Sequence, residues 1–126
     1  MARQILTTDA APSSPLFSQG IRAGSTVHVS GMVGMDVGTG ELPASIHDQT
    51  RQAIRNCALV LEAGGASLSD VTMVTVLLAN PPDFAGMNEA YAEMFGDDPP
   101  ARAVARLGPE LPGIRISIFM TAHVED

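Results

Sequence analysis

The chain contains no lysine, and its seven basic residues are all arginine. A protein without lysine cannot form a Schiff base with a carbonyl substrate through its own side chain. Positive charge is scarce altogether: fourteen carboxylates outweigh the arginines, for a formal net charge of -7. Nucleic-acid backbones demand clustered cations, and here the few cations are scattered, so neither a nucleic-acid partner nor an anionic membrane surface is expected. Cysteine occurs once, as Cys57, which rules out a disulfide within the chain. Its place in a helical pattern reads as a small buried hydrophobe; the sharper reading, a thiol nucleophile, lacks a partner histidine in any recognisable motif. No segment approaches the ~18 apolar residues of a membrane span, and Met-Ala-Arg-Gln-Ile at the start lacks the apolar run of a signal peptide. A cytoplasmic location is the resulting expectation. No His/Cys/Asp cluster has metal-ligand spacing, so no metal and no cofactor are expected. Gly31, Gly34, Gly38 and Gly40 show neither the GxGxxG order nor the terminal Lys-Ser/Thr of a phosphate loop, and read as turn residues.

What is present suffices for one domain, residues 1–126, with a proper core. Residues 4–8 read as a short strand and residues 9–18, with Pro12 and Pro15, as an extended loop. Residues 19–22 and 26–30 read as antiparallel strands about a turn at Ala23-Gly24. Over residues 46–63 the positions Ile46, Ala53, Ile54, Cys57, Ala58 and Leu61 form a helical stripe, which Gly64-Gly65 stops. Residues 71–79 are apolar at both parities, with Val71, Met73 and Leu77 on one face and Val74, Val76 and Leu78 on the other. Such a strand is covered on both sides. Asp83 is placed to cap a second helix, whose stripe is Phe84, Met87, Tyr91, Met94 and Phe95. Asn88 interrupts that stripe, either as a core amide bonded to backbone or as one facing a ligand. Two last strands follow, residues 102–107 and 114–122.

Two helices of this length cover only one face of a sheet of about six strands, so the second face must be buried against another subunit. Parity groups Arg102, Val104 and Arg106, and sets Arg115, Ser117 and Phe119 against the aliphatic Ile114, Ile116, Ile118 and Met120. The aliphatic side is expected to meet the helices. A mixed face carrying Ser30, Arg102 and Ser117 is expected to look toward the neighbouring subunit. Arg102 stands one residue past the Pro99-Pro100 pair, where a strand begins. It is either a solvated arginine at a strand end or an anion clamp, whose planar guanidinium holds a carboxylate through two parallel hydrogen bonds.

The ordered set Ser14-Pro15-Leu16-Phe17-Ser18-Gln19-Gly20, Val29-Ser30-Gly31, Gln49-Thr50, Asn56, Leu61-Glu62-Ala63-Gly64-Gly65, Asp70-Val71, Asn88, Tyr91, Phe95 and Pro100-Ala101-Arg102 spans nearly the whole chain. It resembles the RidA/YjgF family. The resemblance implies a chorismate-mutase-like (YjgF-like) α+β fold: a six-stranded, mostly antiparallel sheet with two helices on one face, assembled as a homotrimer with ligand clefts between subunits. It also implies a hydrolase of the 2-iminobutanoate/2-iminopropanoate deaminase kind, converting imines and enamines such as 2-aminoacrylate to keto acids and ammonia. On this pattern Arg102 clamps the substrate carboxylate, and Phe17, Ser30, Gly31, Asn88 and Val104 line the substrate. Three departures stand out. Phe17 replaces a tyrosine, Val104 replaces a cysteine, and Ser117 replaces the glutamate credited with holding the attacking water. The connection before Ser117 is also one residue longer than the usual pattern, so that last match can slip by one. Ser117 can hydrogen-bond a water but is a poor general base; Glu110 and His123 are candidate substitutes. The implied partners are other copies of the chain and small carboxylate metabolites. The competing reading is a non-catalytic or regulatory trimer that binds such metabolites in the same clefts. The older family label of endoribonuclease fits poorly with the acidity of this chain.

Overall fold

β-branched and aliphatic residues at every position but one from 71 to 78 make a strand suited to the middle of a sheet. A computed structural model, which describes residues 2–125, places that strand between two others. In chain order the elements are β1 (Gln4–Leu6), β2 (Gly20–Ala23), β3 (Thr26–Val33), α1 (Ile46–Ala63), β4 (Val71–Leu78), α2 (Phe84–Phe95), β5 (Ala101–Arg106) and β6 (Ile116–His123), with 3-10 turns at Leu68–Asp70 and Pro81–Asp83. The strands form one six-stranded sheet in the order β1-β2-β3-β6-β4-β5. All pairs are antiparallel except β4 with β5. That parallel pair requires a crossover, which α2 supplies. The fold is α+β, and both helices lie on one face.

On the helix side Val27, Val29 and Met32 of β3, Val74 and Val76 of β4, and Ile116, Ile118 and Met120 of β6 are almost wholly buried. They pack against Ile54, Cys57 and Leu61 of α1 and Met87 and Tyr91 of α2. Helix α1 runs over the expected span. The Ser45 hydroxyl accepts the Asp48 N–H at its start, and Gly65 takes a left-handed φ of +79° just past its end, the conformation that lets the chain leave a helix without a Cβ clash. Its stripe also holds buried polar residues that periodicity does not single out. The Gln49 side-chain amide donates to the carbonyls of Pro43 and Gly113 and accepts from the Arg115 N–H. Asn56 donates to the carbonyls of Val33 and Met35. These amides tie the loops after β3 and before β6 to the helix.

Several expectations need correction. Val71 does not share a face with Met73 and Leu77: the β4–β6 register shifts between Val71 and Met73, and Val71 turns in to the helix side, only 8% exposed. Gly31 is no turn residue but lies inside β3, in an irregularity between Val29 and Met32 where three steps on β3 match two on β6. An extra residue of this kind re-aims its neighbours. Phe84 is 47% exposed rather than part of the α2 core stripe, whose buried members are Met87, Ala90 and Tyr91. Asp83 stands at the N-cap position, yet its side chain makes no capping bond; its carboxylate lies 3.7 Å from Arg115 Nε. The last strand begins at Ile116, two residues later than expected.

The opposite face of the sheet carries no helix. Met73 and Phe119 are 38% and 40% exposed there, in rows with Thr75, Leu77, Ala103 and Ala105.

Candidate functional site

Arg102 stands near the start of β5, the last strand of the sheet. Its register partner is Val74, and those of Val104 and Arg106 are Val76 and Leu78. All three partners face the helices, so Arg102, Val104 and Arg106 share one face, as parity requires, but it is the helix side. The expected mixed face of Ser30, Arg102 and Ser117 is therefore corrected: periodicity groups residues within a strand and leaves open which face the strand offers its neighbour. Ser117 aligns with Leu77, and Leu77 with Ala105, on the open side. From Ser117 to Arg102 is two strand spacings across, roughly 10 Å, and three residues along, again roughly 10 Å, on opposite faces.

The residues singled out in the sequence thus form two clusters. In the first, Arg102 Nη1 donates to Asn88 Oδ1 at 2.8 Å and reaches Met87 Sδ at 3.9 Å. The guanidinium carbon lies 4.7 Å from the centre of the Tyr91 ring, and that ring leans on Phe95 with centroids 4.6 Å apart. Asn88, Tyr91 and Phe95 lie three and four residues apart, so one helix face presents them together. A cation over an aromatic face is held by the ring quadrupole as well as by the hydrogen bond. Nε and Nη2 of Arg102 make no hydrogen bond among the described residues. They are donors with the fork geometry that suits a carboxylate. A shallow depression of about 310 Å³ opens beside them, lined by Asn88, Tyr91, Phe95, Pro99, Pro100 and Arg102 among others. Burial holds the Tyr91 hydroxyl above the ordinary phenol pKa, and the Arg102 charge pulls it part of the way back. That hydroxyl is buried without a hydrogen-bond partner among the described residues.

In the second cluster the Ser30 hydroxyl donates to the Ser18 carbonyl and its N–H to the Gln19 carbonyl. This fixes the irregular stretch of β3 to the loop that carries Phe17, which is 48% exposed. A Cβ at Gly31 would stand 2.9 Å from Ser117 Oγ, so a larger residue there would have to turn that hydroxyl aside. Ser117 is 8% exposed, and its Oγ makes no hydrogen bond among the described residues.

Other candidates fall away from both clusters. The Cys57 thiol is fully buried, donates to the Ile118 carbonyl at 3.4 Å, and is pushed far above the ordinary thiol pKa by burial; it is a core residue and no nucleophile. Glu110 is exposed in the β5–β6 connection, on the rim of a cleft of about 760 Å³. His123 is exposed at the far end of β6, roughly 20 Å along the strand from Ser117. His123 is too far along the strand to serve Ser117 within one chain, and Ser117 does not line the cleft that Glu110 borders. Among the described residues no group of three or more His, Cys, Asp or Glu could hold a metal ion, and no helix is long and apolar enough to cross a membrane. Tyr91 is the site residue that residue-level reading missed. Its signal was available in the spacing Asn88-x-x-Tyr91-x-x-x-Phe95, but a helix stripe of that kind reads first as core.

A family model described as endoribonuclease L-PSP matches residues 7–124. A RutC family protein of Pyrococcus horikoshii is 40% identical over 98% of this chain and 99% of its own length. The rat 2-iminobutanoate/2-iminopropanoate deaminase is 36% identical over 92% of this chain and 86% of its own. Among solved structures, that of Escherichia coli TdcF with bound serine superposes with a TM-score of 0.88 at 28% identity, covering 97% of this chain and 99% of that one. With the sequence pattern, the sheet order and these matches in agreement, the chain belongs to the RidA/YjgF family, whose model bears the endoribonuclease L-PSP description.

Proposed function

We propose that this protein hydrolyses small 2-imino or 2-enamino acids to 2-keto acids and ammonia, in clefts between the subunits of a homotrimer of chorismate-mutase-like fold. The observation that carries the reading is the poise of Arg102: one edge of its guanidinium is engaged by Asn88 and its face by Tyr91, and Nε and Nη2 remain for a carboxylate. Relatives named as 2-iminobutanoate/2-iminopropanoate deaminases support the substrate class. So does the serine bound in the structure of TdcF, itself a small molecule with a carboxylate.

The division of the site supports an assembly of copies, which we read as the trimer that the family pattern implies. Arg102, Asn88 and Val104 lie on one side of the sheet, and Phe17, Ser30, Gly31 and Ser117 belong to the other cluster. One ligand touches both only when the β5 edge of one copy meets the open face of the next. That meeting would also cover Met73 and Phe119. In the proposed reaction the carboxylate docks on Arg102, the imine nitrogen takes a proton, and water adds to the carbon. Collapse of the carbinolamine releases ammonia and leaves the keto acid. The imine is already electrophilic, so positioning supplies much of the rate; Ser117 Oγ orients the water and does not act as a base.

The test generates imines in place with an amino-acid oxidase and traps them with semicarbazide. Wild type should lower the semicarbazone yield, and Arg102→Ala should restore it. Equal yields with the two proteins, across small, aliphatic and aromatic imines, would end the enzyme reading. The second reading, a trimer that binds carboxylate metabolites without turning them over, is favoured by one observation: Ser117 supplies a hydroxyl and no carboxylate. It predicts keto-acid binding that depends on Arg102, with no effect on the trapping assay.

A further inference from the structure

Two hollows lie along β5, and Val104 lines the one that Arg102 does not. The first is the depression beside Arg102. The second has a volume of about 460 Å³ and is lined by Leu78, Pro81, Phe84, Val104, Ala105 and Arg106. Its walls are mostly apolar. Phe84 contributes a ring that is 47% exposed, on the same helix face as Asn88 four residues later. We propose that this hollow receives the substrate's side chain, and that the protein therefore selects 2-imino acids with a bulky apolar group, phenylalanine-derived above all, over those derived from alanine or serine.

Spacing carries the proposal. Arg102 and Val104 lie two residues apart on one face of β5, roughly 7 Å between their Cα atoms. A carboxylate held by Nε and Nη2 of Arg102 and a side chain directed along the strand put a benzyl or isobutyl group over Val104, against Phe84 and Pro81. A methyl group does not reach them. The hollow falls within the ~300–1,000 Å³ usual for small-molecule pockets, ample for a phenyl ring. Arg106, two residues further on the same face, also lines the hollow, and its side chain makes no hydrogen bond or ion pair among the described residues. Its guanidinium is free to cover an aromatic ring, which ranks a phenyl above an aliphatic group of similar size.

The specificity rests on the proposed deaminase reading, and the two can fail separately. The binding arm uses the keto-acid products as probes, with titration calorimetry of pyruvate, 4-methyl-2-oxopentanoate and phenylpyruvate on the intact protein. Phenylpyruvate should bind at least about tenfold more tightly than pyruvate, a modest ratio for a hydrophobic pocket. Val104→Trp, which fills the hollow, should bring that ratio to about one, and Phe84→Ala should reduce it several-fold. The exposed position of Phe84 lets its variant carry the test if Val104→Trp does not fold. Equal affinities in wild type, or a ratio that neither variant changes, overturns the pocket. The turnover arm uses the corresponding imines. A binding preference without turnover upholds the pocket and removes the deaminase; turnover without a size preference does the reverse.

Discussion

Ile118 and Phe119 are neighbours on β6, yet the first is fully buried and the second is 40% exposed. Ile118 pairs with Met32 and Val76, both also fully buried, beneath the helices; Phe119 pairs with Thr75 on the face without helices. The same alternation runs through β4, where Val74 and Val76 are closed in and Met73 is not. One face is covered by its own chain's helices and the other is not, so under the proposed assembly substitutions on the two should report on different equilibria. Ile118→Ala removes buried methyl groups in a filled core and should cost about 2–5 kcal/mol, read as a lowered midpoint in chemical denaturation. Phe119→Ser should cost the single chain much less and instead lower the mass in solution toward that of one subunit, by sedimentation at several concentrations. A Phe119→Ser protein that keeps the wild-type mass, or a wild type that is itself monomeric, would break the contrast and with it the proposed trimer.

Arg102 lies at the border of the two regions. It has helix-side parity but stands on the outermost strand, where solvent reaches it. Its loss should therefore leave the fold nearly untouched and remove most of the function. Arg102→Ala should lower kcat/KM for any accepted imine by ~100-fold, the scale of hydrogen bonds to a charged group, with little change in Tm. A large fall in Tm would mean that the contacts of Arg102 with Asn88 and Tyr91 hold the fold together rather than a ligand.

How much of this could be read from sequence depends on the kind of fact. The span of α1, the existence of β4 and its two apolar faces followed from periodicity, because burial writes a period into the chain. The face that Arg102 occupies did not follow. It depends on the β4–β5 register, a long-range pairing that leaves no local trace. The irregularity at Ser30-Gly31 was hidden for a similar reason: it exists only relative to β6, and a glycine after a strand looks like a turn. Gln49 and Asn56 belonged to the family pattern, but their role stayed hidden because polar residues on a buried stripe are understood only when the carbonyls they satisfy are known. The family pattern named Arg102, Asn88 and Ser30 without their geometry, and the geometry then separated Arg102 and Asn88 from Ser30.

Ser117 tests the weaker half of the site. If its hydroxyl only orients water, Ser117→Ala should lower kcat by no more than about fivefold, within the loss of a single neutral hydrogen bond of ~1 kcal/mol, and leave KM for the imine unchanged. A loss as large as that of Arg102→Ala would make Ser117 an essential group and sharpen the open-face cluster into the chemical centre.

The smallest expected effect is also the most direct probe of the Arg102 cluster, because Tyr91 is the only tyrosine and the chain has no tryptophan. Tyrosinate absorbance therefore reports this one ring. Burial disfavours the charged phenolate, so the folded protein should titrate above the ordinary tyrosine value of about 10. The Arg102 charge opposes that shift, so Arg102→Ala should move the midpoint further up. Because the folded pKa is the higher one, the neutral phenol's contribution to stability is fully present below the unfolded value. It is lost as pH rises through the folded value, since the unfolded chain gives up its proton first. Tyr91→Phe removes both the titration and the unpartnered buried hydroxyl, and should flatten the alkaline fall in stability while keeping the platform under Arg102. A wild-type midpoint at the ordinary value would mean that the ring is not desolvated, and an unchanged or lowered midpoint in Arg102→Ala would take the guanidinium off the ring and leave it to Asn88 and Met87.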